Sequence, residues 1–114
     1  MEKILNNPRR GQVWQTAFSP WGKSVLSPCL ILSGDRFNQN QAGLIIVLPA
    51  IVQDLNIRSH VRAAVNGNGP AADLYICCDE ILTVSTDRCI EKTGEVSEKT
   101  LEEIRETVML LLDL

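Results

Sequence analysis

Short apolar segments of strand length, separated by turn-forming residues, fill most of this 114-residue chain. Apolar runs of this length that end at Gly, Pro, Asn or Ser are typical of β-strands. The pattern predicts strands at residues 12–18, 28–33, 44–48, 60–65, 74–78 and 82–85. Pro49 is expected to end the third strand, because proline cannot donate a ladder hydrogen bond. We expect residues 34–43 to form a polar loop with one helical turn, and residues 66–70 to form a turn.

The clearest single element is a helix near the C-terminus. Ser97 is a favourable N-cap, and Glu98 follows it where the helix dipole favours an acidic side chain. The apolar residues of one helix face then recur at spacings of three and four, namely Leu101, Ile104, Val108 and Leu111. Beyond Val108 the apolar stripe widens, so we expect this end to pack both on the core and on a second subunit.

Five or six short strands followed by one helix predict a mainly β chain of the α+β type. The expected architecture is a small twisted barrel with a helix laid on it. At 114 residues the chain has the length of one ordinary domain, so residues 1–114 are expected to form a single domain.

Charge is distributed unevenly along the chain. The formal net charge is -3 and the pI is about 5.1. Residues 1–78 nevertheless carry seven basic and four acidic side chains, whereas residues 79–114 carry four basic and ten acidic ones. A mildly basic body with an acidic tail is compatible with an anionic partner, such as a nucleic acid or an acidic peptide.

The sequence also favours an intracellular protein without a metal site. No apolar run reaches the roughly 20 residues that cross a bilayer, and the N-terminal residues do not resemble an export signal. We therefore expect a cytoplasmic protein with no membrane contact. The four cysteines contain no C-x-x-C spacing, and the single His60 cannot complete a recognisable zinc set. We interpret the cysteines as buried small apolar residues.

Several segments resemble one known family. They are RGQVW at residues 10–14, SPCLILS at 27–33, DRFN at 35–38, IVLP at 46–49, SHV at 59–61, CDEILTV at 78–84 and KTGEVS at 92–97. In their order and spacing, from about Arg9 to the C-terminus, they resemble the MazF/PemK/Kid toxins of bacterial toxin–antitoxin pairs. The resemblance implies an SH3-like β-barrel with a C-terminal helix, as in MazF and CcdB, that works as a homodimer.

The same resemblance implies an activity and its partners. It implies an endoribonuclease that cuts single-stranded RNA without a metal ion or other cofactor. It also implies a small antitoxin protein whose acidic tail lies in the RNA-binding groove. The basic body of the chain suits both partners, since each is an anion.

The chain departs from the family at the positions that carry the chemistry. The family has an Arg directly before the proline of the second strand and a Thr near the end of the third. Ser27 and Ile51 occupy these positions here. Some members use an R-C-D segment, and here the Arg of that segment is Cys77. The first loop, which in the family carries a His or Glu, is shorter than usual.

Three residues are candidates for catalysis in this changed site. Ser27 stands at the position of the family's Arg. Lys23 in the first loop could supply a cation, and the alternative is an ordinary solvated lysine. Asp79 could act as a base, and the alternative is a hydrogen-bonded residue at the end of a strand.

Four further residues are candidates for RNA binding. Arg58, His60 and Arg62 form an R-x-H-x-R cluster that suits phosphate contacts, although a charged edge strand would have the same pattern. Trp21 in the first loop could stack on a base. The sequence thus favours an RNA-cleaving toxin. The alternative is a catalytically impaired homologue that binds an antitoxin, RNA or another target.

Overall fold

A computed structural model describes residues 7–17, 25–67 and 72–114, and within these ranges β-strands dominate. The strands are β1 (Gln12–Ala17), β2 (Leu26–Ile31), β3 (Leu44–Ile51), β4 (His60–Gly67), β5 (Ala72–Cys77), β6 (Leu82–Ser85) and β7 (Cys89–Glu95). The helices are α1 (Asp35–Asn38) and α2 (Glu98–Leu111), and residues Thr86–Arg88 form a turn of 3-10 helix. Each of the six predicted strands overlaps an observed one, and both predicted helical segments are present.

The strands form a ring. Their order in the sheet is β2-β1-β7-β4-β5-β3-β6, and β2 also pairs with β3. The second pairing closes β1, β2, β3, β5, β4 and β7 into a barrel-like ring, with β6 attached to β3. The predicted small barrel with a C-terminal helix is therefore confirmed.

The core has two parts because successive strand residues point to opposite faces of the sheet. One cluster gathers Leu30, Leu48 and Ile76 with Ile104 and Val108 of α2. The other cluster lies on the opposite face and is made by Trp14, Cys29, Ile31, Ile45, Val47, Val84 and Cys89. Helix α2 therefore covers one face of the sheet. The opposite face is not covered by α2, and candidate functional residues lie there.

Helix α2 begins where the sequence predicts. The Ser97 hydroxyl accepts a hydrogen bond from the amide of Thr100 at 3.1 Å, which satisfies one of the unpaired amides of the first turn. Ile104 and Val108 are buried as expected. The end of the stripe is not buried within this chain, since Leu110 is 81% exposed and Leu114 is 82% exposed.

The prediction that Pro49 ends the third strand is wrong. Strand β3 continues to Ile51, and Pro49 lies opposite Cys29 of β2. On its other edge, β3 pairs with β6 as far as Val47 and with β5 from Ala50 onwards. On this edge, Pro49 lies between the residues that pair with β6 and those that pair with β5. Its missing amide hydrogen therefore breaks neither of these two ladders.

The prediction of five or six strands missed β7. This strand carries few apolar residues, and its contact with β4 depends on two glycines. A Cβ on Gly94 would lie 2.5 Å from the carbonyl oxygen of Asn66, and one on Gly67 would lie 1.9 Å from that of Thr93. Close approach of two backbones closes the ring here, and apolar periodicity does not reveal it.

The boundaries of two other predictions also shift. Strand β2 starts at Leu26, two residues before the predicted start at Pro28. Asn66 and Gly67 belong to β4 rather than to the predicted turn. The rest of that turn, residues 68–70, lies outside the described residues.

Candidate functional site

The sheet register brings the two substituted family positions together. Cys29 of β2 lies opposite Pro49 of β3, and continuing this register by two residues places Ser27 opposite Ile51. Leu26 and Val52, one residue further on, line a common cleft, in agreement with this register. Alternate residues of a strand share a face. Ser27 and Ile51 therefore lie on the face opposite α2, two residues beyond Cys29 and Pro49, the last paired residues of β2 and β3.

The same row of the sheet continues onto two further strands. Ile51 lies opposite Tyr75 of β5, and Tyr75 lies opposite Arg62 of β4. We call Ser27, Ile51, Tyr75 and Arg62 the cross-strand row. Ser27 is buried, Ile51 and Tyr75 are half-buried, and Arg62 is exposed. The row thus runs from a buried position on β2 to an exposed one on β4, and its polar groups are two hydroxyls and one guanidinium.

Arg62 is held in place by Asp73. Its Nε donates to Oδ2 of Asp73 at 3.0 Å, and its Nη2 donates to the same oxygen. The ion pair is open to solvent, with 69% of the Arg62 side chain exposed. The hydrogen bond and charge of Asp73 raise the pKa of Arg62 above its ordinary value, and Tyr75 and Asp54 add smaller contributions. The guanidinium therefore remains charged.

His60 and Asp79 form a second group on this face. His60 lies opposite Cys77, one row along from Arg62 and Tyr75. Its Nε2 is 3.9 Å from Oδ1 of Asp79, and its side chain is only 7% exposed, whereas that of Asp79 is 48% exposed. Among the described residues, Nδ1 of His60 has no hydrogen-bond partner. The amide of Cys78 donates to the carbonyl of Ser59 at 3.0 Å and ties the end of β5 to β4.

The predicted candidates are thus only partly brought together. Arg58 and Arg62 are exposed, but only 7% of the side chain of His60 between them is exposed, so the R-x-H-x-R cluster is not one continuous patch. Asp79 lies in the turn after β5, four residues beyond Tyr75 of the cross-strand row, so it is separate from that row. Lys23 and Trp21 lie outside the described residues.

Sequence reasoning missed Tyr75 and Asp73. Neither belongs to a motif, and both reach the site because β4 and β5 pair in this register. Alternation along β5 identifies Asp73 and Tyr75 as residues of one face. It does not say which residues of β4 lie opposite them.

The cysteines supply no nucleophile. All four cysteines are buried, which confirms their prediction as buried small residues. Burial raises the pKa of Cys77, Cys78 and Cys89 to about 12, and it raises that of Cys29 as well. Thiols that stay protonated near neutral pH are poor nucleophiles and poor metal ligands. Within the described ranges, no group of three or more His, Cys, Asp or Glu side chains is placed to hold a metal ion.

No helix among the described residues has the length and apolar character needed to cross a membrane.

The fold is shared with solved toxin structures. MazF (Form-I) from Deinococcus radiodurans superposes with a TM-score of 0.77 at 20% identity, over 96% of this chain and 99% of that one. An endoribonuclease in complex with its cognate antitoxin from Mycobacterial species gives 0.73 at 24% identity, over 96% and 97% of the two chains. At these identities the likeness shows the fold.

Sequence comparison is more specific. Endoribonuclease MazF9 of Mycobacterium tuberculosis (strain ATCC 25618 / H37Rv) is 27% identical to this chain. The alignment covers 93% of this chain and 97% of that protein. The sequence model of the family described as "PemK-like, MazF-like toxin of type II toxin-antitoxin system" matches residues 9–112. With matching motifs, a matching fold and a match over nearly its whole length, the chain belongs to the PemK-like, MazF-like toxins of type II toxin–antitoxin systems.

Proposed function

We propose that this toxin is an endoribonuclease that cuts single-stranded RNA without a metal ion. In such a reaction the 2′-hydroxyl attacks the adjacent phosphorus and the bond to the 5′-oxygen breaks, which leaves a cyclic phosphate and a 5′-hydroxyl end. The reaction needs a base for the 2′-hydroxyl, an acid for the 5′-oxygen, and donors or a cation for the charge on the phosphate. The family membership and the name of the mycobacterial relative support this activity.

The observation that carries the proposal is the cross-strand row. The two positions where the family keeps its Arg and Thr, Ser27 and Ile51, come opposite each other when the register of β2 and β3 is extended by two residues. The same row holds Arg62, whose guanidinium pairs with Asp73. These observations support a site at the family's location with different side chains.

We place the RNA along the face from Ser27 to Asp79. A strand lying across it contacts Arg62 near one end and reaches Asp79 and Arg58 toward the other. Phosphates suit the two arginines, and the half-exposed carboxylate of Asp79 can accept a proton or a hydrogen bond from the RNA. His60 is buried and acts on the RNA through Asp79. Trp21 and Lys23 are proposed contacts from the first loop.

The proposed protein partner is a small antitoxin whose acidic tail occupies the same face. Residues 1–78, which include β1 to β5, carry a net charge of +3, so both RNA and an acidic peptide are attracted. We also propose that the toxin is a cytoplasmic homodimer. The exposed leucines at the end of α2, Leu110 and Leu114 among them, provide an apolar surface for a second copy.

The test uses purified toxin, a long single-stranded RNA and excess EDTA, with new 5′-hydroxyl ends mapped by sequencing. We expect cuts at a short recurring sequence, and we expect Ser27→Ala, Lys23→Ala and Asp79→Asn to show which candidates the reaction uses. Arg105→Ala is the matched control, because Arg105 pairs with Glu102 on α2, away from this face. Intact RNA, together with tight binding to a co-expressed acidic partner, would contradict the proposed activity and leave a binding protein.

A further inference from the structure

The chain lacks the family's two catalytic side chains, yet the same row offers two others. Tyr75 is the direct neighbour of Ile51 on one side and of Arg62 on the other. Adjacent strands lie about 4.8 Å apart, so the backbone of Arg62 is about 10 Å from that of Ile51, and a phosphate bound above Tyr75 lies between them. Both residues belong to regular strands, which hold side chains more precisely than loops do.

Asp73 orients the guanidinium of Arg62 and uses only some of its N–H donors. A guanidinium carries five N–H groups, of which Asp73 uses one on Nε and one on Nη2. Both bonds end on a single carboxylate oxygen, so the two N–H groups of Nη1 and one of Nη2 remain for another anion. Asp73 thus restrains the orientation of the Arg62 guanidinium and leaves three of its N–H donors unused.

Tyr75 lies close to this guanidinium. It lies opposite Arg62 in the register of β4 and β5, so the two side chains leave neighbouring strands on the same face. The ring is half-buried, so its direction is restrained by packing. Its hydroxyl can donate one hydrogen bond. Arg62 and Tyr75 together provide a charged donor and a neutral donor, the same two kinds of group that an Arg and a Thr provide.

We propose that Arg62 and Tyr75 bind the reacting phosphate of the RNA and take the place of the missing Arg and Thr, with Asp73 as the positioning residue for Arg62. The inference rests on the proposed ribonuclease function. Both side chains act as hydrogen-bond donors to the non-bridging oxygens and keep their protons. Their donors strengthen as negative charge accumulates on those oxygens, so the effect falls on the rate of the chemical step.

The experiment measures single-turnover cleavage of an RNA oligonucleotide in EDTA across a range of enzyme concentrations. We expect Arg62→Ala to lower the maximal rate roughly 10²- to 10³-fold, as expected for loss of a charged donor to a reacting anion. Tyr75→Phe, which removes only the hydroxyl, should lower it roughly 10-fold, the effect of losing one neutral hydrogen bond. Arg62→Lys should recover only part of the loss, because an ammonium lacks the planar fork.

Asp73→Asn distinguishes a positioning role from a binding role. Loss of its negative charge should leave RNA affinity unchanged or tighter while the maximal rate falls, because Arg62 loses its restraint. Arg105→Ala is the control for removal of one exposed arginine, and it should keep the wild-type rate. Circular dichroism of each variant checks the fold.

The outcomes separate the two proposals. If wild-type toxin leaves the RNA intact, the proposed function and this inference both fail. If wild-type toxin cuts the RNA and both Arg62→Ala and Tyr75→Phe cut it within twofold of the wild-type rate, only this inference is overturned.

Discussion

Nε2 of His60 lies 3.9 Å from Oδ1 of Asp79, and the histidine side chain is almost fully buried behind this half-exposed carboxylate. His60 opens β4, and Asp79 follows the end of β5, so the pair links the two strands where their ladder ends. In the proposed RNA-binding mode, this imidazole supports the position of the Asp79 carboxylate at the end of the strand pair.

We therefore predict that His60→Ala lowers stability more than it lowers RNA affinity. Removal of a buried side chain that packs between two strands should cost about 2 kcal/mol of unfolding free energy. Urea denaturation measures this cost, and an RNA-binding titration of the folded variant measures affinity. Arg58→Ala is the matched control, because Arg58 is exposed and should change stability by less than about 0.5 kcal/mol. Unchanged stability in His60→Ala with lost RNA binding would instead make His60 a direct RNA contact.

The four thiols should resist modification in the folded protein. Burial raises the pKa of Cys77, Cys78 and Cys89 to about 12, so almost none of these thiols is ionised at pH 8. The thiolate is the form that reacts with iodoacetamide. Mass spectrometry should show an unmodified native protein and four modified cysteines after unfolding in guanidinium chloride. Rapid modification of any thiol in the native protein would contradict its burial.

Asp35 should contribute to acid sensitivity. The amide of Arg10 and the guanidinium of Arg9 donate to its carboxylate, and they hold the pKa of Asp35 below its ordinary value of 3.8. A carboxyl whose folded pKa is lowered adds stability above its unfolded pKa, and this stability is lost as pH falls through the folded value.

The test compares wild type with Asp35→Asn at pH 7 and pH 3. The difference in unfolding free energy between the two proteins should be present at pH 7 and should shrink at pH 3. Because the pair is largely exposed, the difference should stay below about 1 kcal/mol. Asp113→Asn at the C-terminus is the control, and a difference that grows toward acid pH would reverse the predicted sign.

The two halves of the apolar stripe of α2 should have separable roles. Ile104 is fully buried, so Ile104→Ala should cost about 3 kcal/mol of unfolding free energy. Leu110 and Leu114 are exposed in the single chain, so Leu110→Glu combined with Leu114→Glu should leave the fold intact and convert the proposed dimer to a monomer. Sedimentation velocity measures this change. A wild-type monomer, or a double variant that remains dimeric, would contradict the proposed interface.

Local signals predict much of this fold. The cap at Ser97 and the stripe through Ile104 and Val108 lie within one helix, so the sequence alone locates α2. Strand β7 could not be found in this way, because its pairing depends on the backbones meeting at Gly67 and Gly94. Pro49 was misleading for a similar reason, since its effect depends on which strands flank β3 at that point.

The candidate site was only partly predictable from the sequence. Family motifs identify Ser27 and Ile51, and extending the register of β2 and β3 by two residues brings these positions opposite each other. The closeness of Tyr75 to Arg62 depends on the pairing of β4 with β5, which no motif encodes. Alternation along β4 also places His60 on the same face as the exposed Arg62, and only the packed structure shows that His60 is buried.

The most direct test of the account compares two oligonucleotides that span a mapped cut site. One is all RNA, and the other carries a single 2′-deoxy substitution on the nucleotide whose 2′-hydroxyl is the proposed nucleophile. In EDTA we predict that the toxin cuts the first to a 5′-hydroxyl end and leaves the second intact while binding it. Equal cutting of both oligonucleotides, or of neither, would contradict metal-independent cleavage by attack of the 2′-hydroxyl.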